Sequence, residues 1–138
     1  MTTFYDYYCN RIQPCIEALD LFFKTQSEPY TSQQMLRMLP FLQQELSCKS
    51  KQLWSREQFL LLLQQGQSEF CRMFRRELQS GLPQCYTPAQ ISYIYDLDLE
   101  LVEQAAAQTG LQTCPRALLP LLFGAIELSQ TQYQIVSP

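Results

Sequence analysis

Apolar residues recur along most of the chain at the spacing of three and four residues that is typical of amphipathic helices. On one face of the first predicted helix, apolar residues stand at positions 8, 12, 15, 16, 19, 22 and 23, with charged residues between them. The pattern predicts six helices: four over residues 3–24, 35–46, 55–80 and 98–109, a short one after residue 87, and one that begins near residue 115. Pro14, Pro40 and Pro120 fall inside this pattern, which predicts kinked helices and not a long coiled coil.

Three short segments share one order of residues: an aromatic residue, Ser or Thr, two further residues, Gln and an apolar residue. They are YTSQQM, WSREQF and YTPAQI, beginning at positions 30, 54 and 86. In such a segment the hydroxyl accepts the amide proton of the third helical residue, and the Gln side chain reaches back to the amide of the capping residue. The aromatic residue is then expected to pack on the apolar residue after Gln. The segments predict helix N-termini at Thr31, Ser55 and Thr87.

Together these elements predict an all-α protein, a compact bundle of five to six helices, several of them kinked by proline. No run of alternating apolar and polar residues bounded by turn residues predicts a strand. The length of 138 residues is typical of one domain. We therefore expect residues 1–130 to form a single helical domain, followed by a polar C-terminal tail over residues 131–138.

The composition is apolar and poor in charge. Apolar residues make up 46% of the chain and charged residues only 17%, below the roughly 25% typical of soluble domains. Glutamine takes the place of charge on the surface, with 20 glutamines against 13 carboxylates. Because neutral amides repel a second copy of the chain only weakly, this surface favours burial in a dimer or in a complex with a partner.

Charge and targeting signals narrow the choice of partner. The net charge of −3 disfavours a protein that binds mainly nucleic acid or anionic lipid. The most apolar run, residues 117–128, has 12 residues, whereas a membrane span needs about 20. The N-terminus has no signal-peptide pattern, so we expect a cytoplasmic protein. In the reducing cytosol its six cysteines are expected to be thiols, and we expect them to be buried as small hydrophobic residues.

The stretch from Cys85 to Gly110 has the layout of two short helices joined by a tight turn. Apolar residues stand at positions 91, 94 and 95 in the first helix, 97 in the turn and 102 in the second helix, and Ser92 is small enough for the helix crossing. Over residues 87–109 this layout resembles the core of helix-turn-helix proteins, which implies DNA binding. The chain departs from that pattern at Asp96, where glycine is common, and in having no Lys or Arg in its second helix to contact phosphates.

Two groups of charged side chains are candidate surface patches. Arg72, Arg75 and Arg76 cluster near the end of the third predicted helix. They either complement the dipole of that helix or dock an acidic partner or a nucleic acid backbone. The acidic group consists of Asp96, Asp98, Glu100 and Glu103. We expect Asp98 to cap the fifth helix, and Glu100 and Glu103 to interact favourably with its N-terminal dipole. The four acidic residues are also candidates to pair with the arginines across a dimer.

The sequence contains no catalytic constellation. It has no histidine, no C-x-x-C pair, no glycine-rich phosphate loop, and only one close set of carboxylates, Asp96, Asp98 and Glu100. That set lacks the glycine and the distal glutamate of a calcium-binding hand. We therefore expect a non-enzymatic protein without a cofactor or a metal ion.

Three interpretations of function remain open. The first is a helical interaction or regulatory module that binds a protein partner or a second copy of itself through apolar and glutamine-rich faces. The large apolar residues outside the main stripes that favour it include Phe4, Tyr5, Tyr7, Tyr8, Leu36, Phe41, Leu60 and Leu61. The second is a helix-turn-helix DNA-binding regulator with Arg72, Arg75 and Arg76 on the phosphates. The third keeps the helix-turn-helix only as a docking surface for protein or as a mimic of nucleic acid charge.

Overall fold

The structure is a computed structural model and describes residues 2–49 and 51–128. The α-helices are α1 (Phe4–Tyr7), α2 (Gln13–Thr25), α3 (Ser32–Met38), α4 (Gln43–Leu46), α5 (Arg56–Gln65), α6 (Glu69–Gln79), α7 (Pro88–Tyr95), α8 (Leu99–Thr109) and α9 (Leu119–Gly124). A π-helical turn over Tyr8–Ile12 joins α1 to α2, and 3₁₀ turns over Pro40–Leu42 and Arg116–Leu118 lead into α4 and α9. The described residues thus form eight continuous helical segments, so the all-α class is confirmed and the predicted count of five to six is slightly low.

The chain divides into two compact units. The first unit is Ile12–Arg75, and the second unit combines Met1–Arg11 with Arg76–Pro138. The N-terminal residues therefore belong with the C-terminal half of the chain and not with the residues that follow them. The single domain over residues 1–130 stays a prediction, and the predicted polar tail, residues 131–138, lies outside the described residues.

The first unit repeats one arrangement twice: a helix, a loop, a two-residue strand and a second helix. The first copy runs from α2 through β1 (Tyr30–Thr31) to α3, and the second runs from α4 through β2 (Leu53–Trp54) to α5. The two strands pair antiparallel, with Tyr30 opposite Trp54. Each copy therefore places the aromatic residue that precedes its helix cap at the point where the strands meet.

The second unit contains two further copies of this arrangement. The third copy runs from the end of α6 through β3 (Cys85–Tyr86) to α7, and the fourth runs from α8 through β4 (Cys114–Pro115) to α9. Here Tyr86 lies opposite Cys114. The fourth copy thus carries a cysteine where the other three have an aromatic residue, and Pro115 where they have a capping hydroxyl. The sequence pattern missed this copy and all four short strands because neither capping side chain is present here and each strand has only two residues.

The three predicted helix caps are confirmed. Thr31 Oγ1 accepts a hydrogen bond from the Gln34 amide at 3.1 Å, and Gln34 Oε1 accepts one from the Thr31 amide at 2.9 Å. The boxes at Ser55 and Thr87 have the same two bonds, at distances between 2.9 and 3.2 Å. All six residues of the expected packing pairs are buried. Each box satisfies two amides that have no partner within the helix.

The box at Thr87 offers a direct test of this local design. Thr87→Ala removes the acceptor for the Gln90 amide, so we expect the free energy of unfolding to fall by about 1 kcal/mol. Urea unfolding monitored by circular dichroism measures the change. Thr113→Ala, in an exposed loop, is the control and should be close to neutral. Equal stability of the two variants would mean that the cap contributes nothing.

The third predicted helix, over residues 55–80, is wrong in its continuity, because it consists of α5 and α6 with a break over residues 66–68. A Cβ atom at Gly66 would lie 2.6 Å from Cys71 Sγ, so the chain passes too close to itself there for a larger residue. Ser68 then starts α6, and its Oγ accepts a hydrogen bond from the Cys71 amide at 3.2 Å. Of the three prolines expected to kink helices, Pro14 and Pro120 are the second residues of α2 and α9, directly after the π-helical and 3₁₀ turns that lead into them, and Pro40 opens the 3₁₀ turn before α4.

The first unit has an aromatic core of its own. The ring of Phe22 lies 4.8 Å from that of Tyr30 and 5.1 Å from that of Phe59 between centroids. The indole of Trp54 donates from Nε1 to Ser32 Oγ at 2.9 Å, and Ser32 Oγ in turn donates to the Lys49 carbonyl at 2.6 Å. The buried hydroxyl of Ser32 is therefore satisfied on both sides, as buried polar groups generally are.

Candidate functional site

Two of the three arginines of the predicted basic patch donate hydrogen bonds to backbone carbonyls at the C-terminal ends of helices. Arg75 donates from Nη1 to the Gln64 carbonyl at 2.7 Å, in the last turn of α5. Arg76 donates from Nε to the Ile94 carbonyl at 2.9 Å, in the last turn of α7. Carbonyls at a helix C-terminus have no partner within the helix and carry partial negative charge, so guanidinium groups stabilise them. Arg72 is exposed on α6. A docking role for these arginines stays a prediction.

The four acidic residues lie at the start of α8 and before it, and all are exposed. Asp98 caps α8 as expected, with Oδ1 accepting a hydrogen bond from the Glu100 amide at 3.0 Å. Asp96 adopts a φ of 54°. This left-handed conformation is one that aspartate tolerates better than most residues, which accounts for its presence where glycine is common. Pairing of these carboxylates with the arginines across a dimer stays a prediction.

The helices of the helix-turn-helix-like stretch are α7 and α8. The apolar residues expected in its core are Ile91, Ile94, Tyr95, Leu97 and Val102, and all are buried. Ser92 Oγ donates to the Leu97 carbonyl at 2.6 Å and closes the turn. These two helices are also the last helix of the third copy and the first helix of the fourth. The same core residues are therefore explained by packing between successive copies, and DNA binding stays a prediction.

The other candidate residues divide between core and surface. Of the apolar residues expected on the surface, Phe4 and Tyr7 are buried, while Tyr5 and Leu61 are exposed. Leu36, Phe41, Leu60 and Tyr8 are half-buried. The expectation that all the cysteines are buried is wrong, since this holds only for Cys71 and Cys114, whereas Cys48 and Cys85 are exposed.

A buried polar network lies in the second unit, and the sequence analysis missed it. Glu77 on α6 is only 6% exposed. Its Oε1 accepts hydrogen bonds from Tyr86 Oη at 2.5 Å and from Arg116 Nη2 at 2.7 Å. Arg116 Nη2 also donates to the Pro83 carbonyl at 2.9 Å, and its guanidinium carbon lies 5.3 Å from the centre of the Tyr86 ring. The network joins the end of α6 to β3 and to the 3₁₀ turn that follows β4.

One signal in the sequence pointed to Glu77. It follows Phe70 and Met73 at helical spacing on the apolar side of α6, where a charged residue needs a partner. No local pattern could name that partner, because Arg116 is 39 residues away along the chain. The other carboxylate oxygen, Oε2, is buried without a hydrogen bond among the described residues.

Two tyrosines near this carboxylate have perturbed acidity. Burial raises the pKa of the Tyr86 phenol well above its ordinary value, and the hydrogen bond to Glu77 raises it further. Burial likewise raises the pKa of Tyr95, with a further contribution from the negative charge of Glu77. In both cases ionisation would place a second negative charge in an apolar region beside the first.

These shifts predict a loss of stability in alkali. Because the folded protein holds the phenol protons more tightly than the unfolded chain does, their contribution is complete below about pH 10, the ordinary tyrosine pKa. It is lost as the pH rises towards the higher folded pKa, at up to about 1.4 kcal/mol per pH unit for each phenol. Urea unfolding between pH 9 and pH 11 should show a shallower decline for Tyr95→Phe than for the unmodified chain. Tyr93→Phe, at a half-exposed position, is the control, and an equal decline in all three would contradict the prediction.

The N-terminal residues pack into an aromatic site of the second unit. Phe4 is fully buried, with its ring 4.8 Å from that of Phe123 and 5.7 Å from that of Tyr95. The Tyr8 ring lies 5.1 Å from that of Phe123 and 6.3 Å from that of Tyr95. We call residues 2–8 the arm, and the rings of Tyr95 and Phe123 the aromatic seat. Two side chains four residues apart on one helix face thus share one seat.

The arm is also held by its backbone. The Phe4 amide donates to the Ile126 carbonyl at 2.8 Å, and the Leu128 amide donates to the Thr2 carbonyl at 2.9 Å. Tyr5 of the arm and the exposed residues Pro120 and Leu121 of α9 line an open, mostly apolar groove of about 560 Å³. The outer face of the arm therefore contributes to a concave apolar surface within the second unit.

Two further features bear on the class of protein. Residues 2–49 and 51–128 contain no group of three or more Asp, Glu, Cys or His side chains placed to hold a metal ion. In that same part of the chain, every helix is too short or too polar to cross a bilayer. Comparisons with protein-family models, curated proteins and solved structures give no match.

Proposed function

We propose that this protein is a non-enzymatic interaction module that contacts protein partners, including a second copy of itself, through apolar helix faces. The observation that carries the proposal is the pairing of four helix–loop–strand–helix copies, two in each unit, with equivalent residues opposite each other in both strand pairs. This order of elements is that of paired EF-hands, helix–loop–helix units in which a loop positions two helices. The likeness is one of the order of elements.

The loops favour a role without calcium. An EF-hand loop holds the ion with several side-chain oxygens, ending in a bidentate glutamate. Between the end of each incoming helix and the third residue of the outgoing helix, the four loops contain only two carboxylates, Glu28 and Glu57. At that third residue, three copies have the glutamines of the capping boxes, and the fourth has Leu118 as the third residue of the 3₁₀ turn that leads into α9. These residues do not fit a calcium ion, so the loops act as structural connections.

Exposed apolar side chains support the interaction role. In the first unit Leu21, Leu53 and Leu61 are each about half exposed, and in the second unit Leu121 is 59% exposed. Leu21, Leu61 and Leu121 lie on α2, α5 and α9, and Leu53 lies on β2, so these side chains offer apolar area for contact with a partner. The low charge and the many glutamines of the chain reduce the repulsion that would oppose such contacts.

Light scattering at low and high salt tests this function. We expect a dimer mass that persists in high salt, because apolar contacts are not screened by ions. Leu21→Asp and Leu121→Asp should each be tested, since one lies in each unit, and at least one should lower the mass without changing the unfolding curve. A monomer at both salt concentrations would contradict self-association. A dimer that dissociates in salt would instead favour the charged patches.

Calcium independence is a separate prediction. Because the loops lack the required carboxylates, millimolar calcium should leave the thermal unfolding midpoint where it is in EDTA. Differential scanning fluorimetry measures this, with magnesium as the control for ionic strength. A saturable rise of the midpoint with calcium alone would overturn the assignment of the loops as structural connections.

The alternative function is DNA binding by α7 and α8 with Arg72, Arg75 and Arg76 on the phosphates. It predicts binding to duplex DNA that weakens steeply with salt and is lost when these arginines are changed to Glu. The carbonyl contacts of Arg75 and Arg76 count against it, because those two guanidinium groups already have partners within the chain.

A further inference from the structure

One stretch of the first unit concentrates positive charge around β2. Lys49, Lys51 and Arg56 are exposed, and residues 46–56 contain no carboxylate. Among the described residues, none of these three cations has an ion-pair partner. Leu53 lies between them and is 57% exposed. We call Lys49, Lys51, Leu53 and Arg56 the basic surface.

The core of the first unit restricts the positions of these charges. Lys49 Nζ lies 5.5 Å from the centre of the Trp54 ring, and the guanidinium carbon of Arg56 lies 4.5 Å from the centre of the Phe23 ring. The Lys49 carbonyl also accepts the hydrogen bond from Ser32 Oγ. Cations held over aromatic rings have fewer conformations to lose when a partner binds. The basic surface therefore presents charge in a preorganised form.

The second unit carries a surface of the opposite charge. Residues 77–115 contain no lysine or arginine. At the start of α8, Asp98, Glu100 and Glu103 are exposed, and Leu99 beside them is 42% exposed. We call these four residues the acidic surface. Each of the two surfaces thus has an exposed leucine among like charges, and the two are complementary in sign.

We propose that the basic surface of one copy of the chain binds the acidic surface of a second copy, with Leu53 and Leu99 in contact between the charges. This inference rests on the proposed self-association and names the surfaces that carry it. A second copy is the partner that the charges favour, because every copy of the chain presents both complementary surfaces. Arg75 and Arg76 already donate to helix carbonyls, which favours the basic surface over that predicted patch as the site that receives the carboxylates.

The pairing predicts a particular dependence on salt. Ions screen the attraction between exposed charges but not the contact between the two leucines. We therefore expect the dissociation constant of the self-association to rise about tenfold from low to high salt, with association still measurable in high salt.

Sedimentation equilibrium over a range of chain concentrations tests the contact. The basic-surface variant combines Lys49→Glu with Lys51→Glu, and the acidic-surface variant combines Glu100→Lys with Glu103→Lys. Each variant brings like charges together, so at low salt each alone should associate about tenfold more weakly than the unmodified chain. An equimolar mixture of the two should recover the association, because each variant then meets surfaces of opposite charge. Recovery on mixing distinguishes contact between copies from contact within one copy, since the substitutions are on different molecules.

The control variant combines Lys24→Glu with Arg37→Glu, which makes the same change of net charge at exposed positions outside the basic surface. It should associate like the unmodified chain. An equal loss in the control, or no recovery in the mixture, would overturn the inference. If circular dichroism shows that the basic-surface variant does not fold, Lys51→Glu alone replaces it. Association that neither surface variant weakens would leave the proposed function standing and remove only this pairing, whereas a chain that stays monomeric at every concentration would overturn both.

Discussion

Phe22→Ala is expected to lower the free energy of unfolding by about 4 kcal/mol. The Phe22 side chain is fully buried and makes ring contacts with Phe23, Tyr30 and Phe59, at centroid distances of 5.9, 4.8 and 5.1 Å. Removing it costs the transfer of the ring out of water and leaves a cavity that its aromatic neighbours fill only in part. Urea unfolding followed by circular dichroism measures the loss.

Leu21→Ala is the matched control, because the two positions are adjacent on α2 and differ mainly in burial. Leu21 is 54% exposed, so its truncation should change stability by less than about 0.5 kcal/mol. The same variant also bears on function, since Leu21 is one of the apolar side chains proposed to contact a partner. Comparable losses from both variants would mean that the burial pattern along α2 has been misassigned.

The local features of this fold could be predicted from the sequence because they depend on residues close together along the chain. The capping boxes at Thr31, Ser55 and Thr87 each need only four residues, and all three are confirmed. Helical spacing alone indicated the all-α class. The break at Gly66 was missed because the close approach of Cys71, which leaves no room for a Cβ atom at that position, is not recorded in a pattern of apolar residues.

The pairing of the copies could not be predicted in the same way. The strands have two residues each, too few for an alternating pattern, and their register joins residues that lie 24 positions apart, as in Tyr30 and Trp54. The fourth copy carries Cys114 and Pro115 in place of the aromatic residue and the cap, so the repeat is apparent only from the backbone. The arm likewise joins the second unit through contacts with residues more than a hundred positions away, such as Phe123.

The candidate site shows the same division. Arg75 and Arg76 were visible as a cluster, but their partners, the carbonyls of Gln64 and Ile94, lie at the ends of other helices. The sequence interpretation had the arginines complementing the dipole of their own helix, whereas these two stabilise the C-termini of α5 and α7. Glu77 stood out as a charge on an apolar face, and only the fold supplies Tyr86 and Arg116 as its partners.

The second large effect is expected at this network, where Arg116→Ala should lower the free energy of unfolding by about 3 kcal/mol. The variant removes the only cation bonded to Glu77 among the described residues and leaves a buried carboxylate with Tyr86 as its remaining hydrogen-bond partner. The cost comes mainly from the uncompensated charge and not from the loss of attraction, because a carboxylate is poorly solvated away from water. Lys24→Ala provides the control, since the Lys24 to Asp20 pair is exposed on both sides and should contribute less than about 0.5 kcal/mol.

A double substitution separates charge from packing at this site. If the uncompensated carboxylate causes the loss, Glu77→Leu combined with Arg116→Met should recover most of it, because apolar residues of similar volume can replace a buried ion pair at little cost. Urea unfolding of the unmodified chain, Glu77→Leu, Arg116→Met and the double variant completes a double-mutant cycle. We expect a coupling energy of about 2 kcal/mol between the two positions. Additive losses, with no recovery in the double variant, would show that Arg116 stabilises the second unit through its contacts with Pro83 and the Tyr86 ring and not through Glu77.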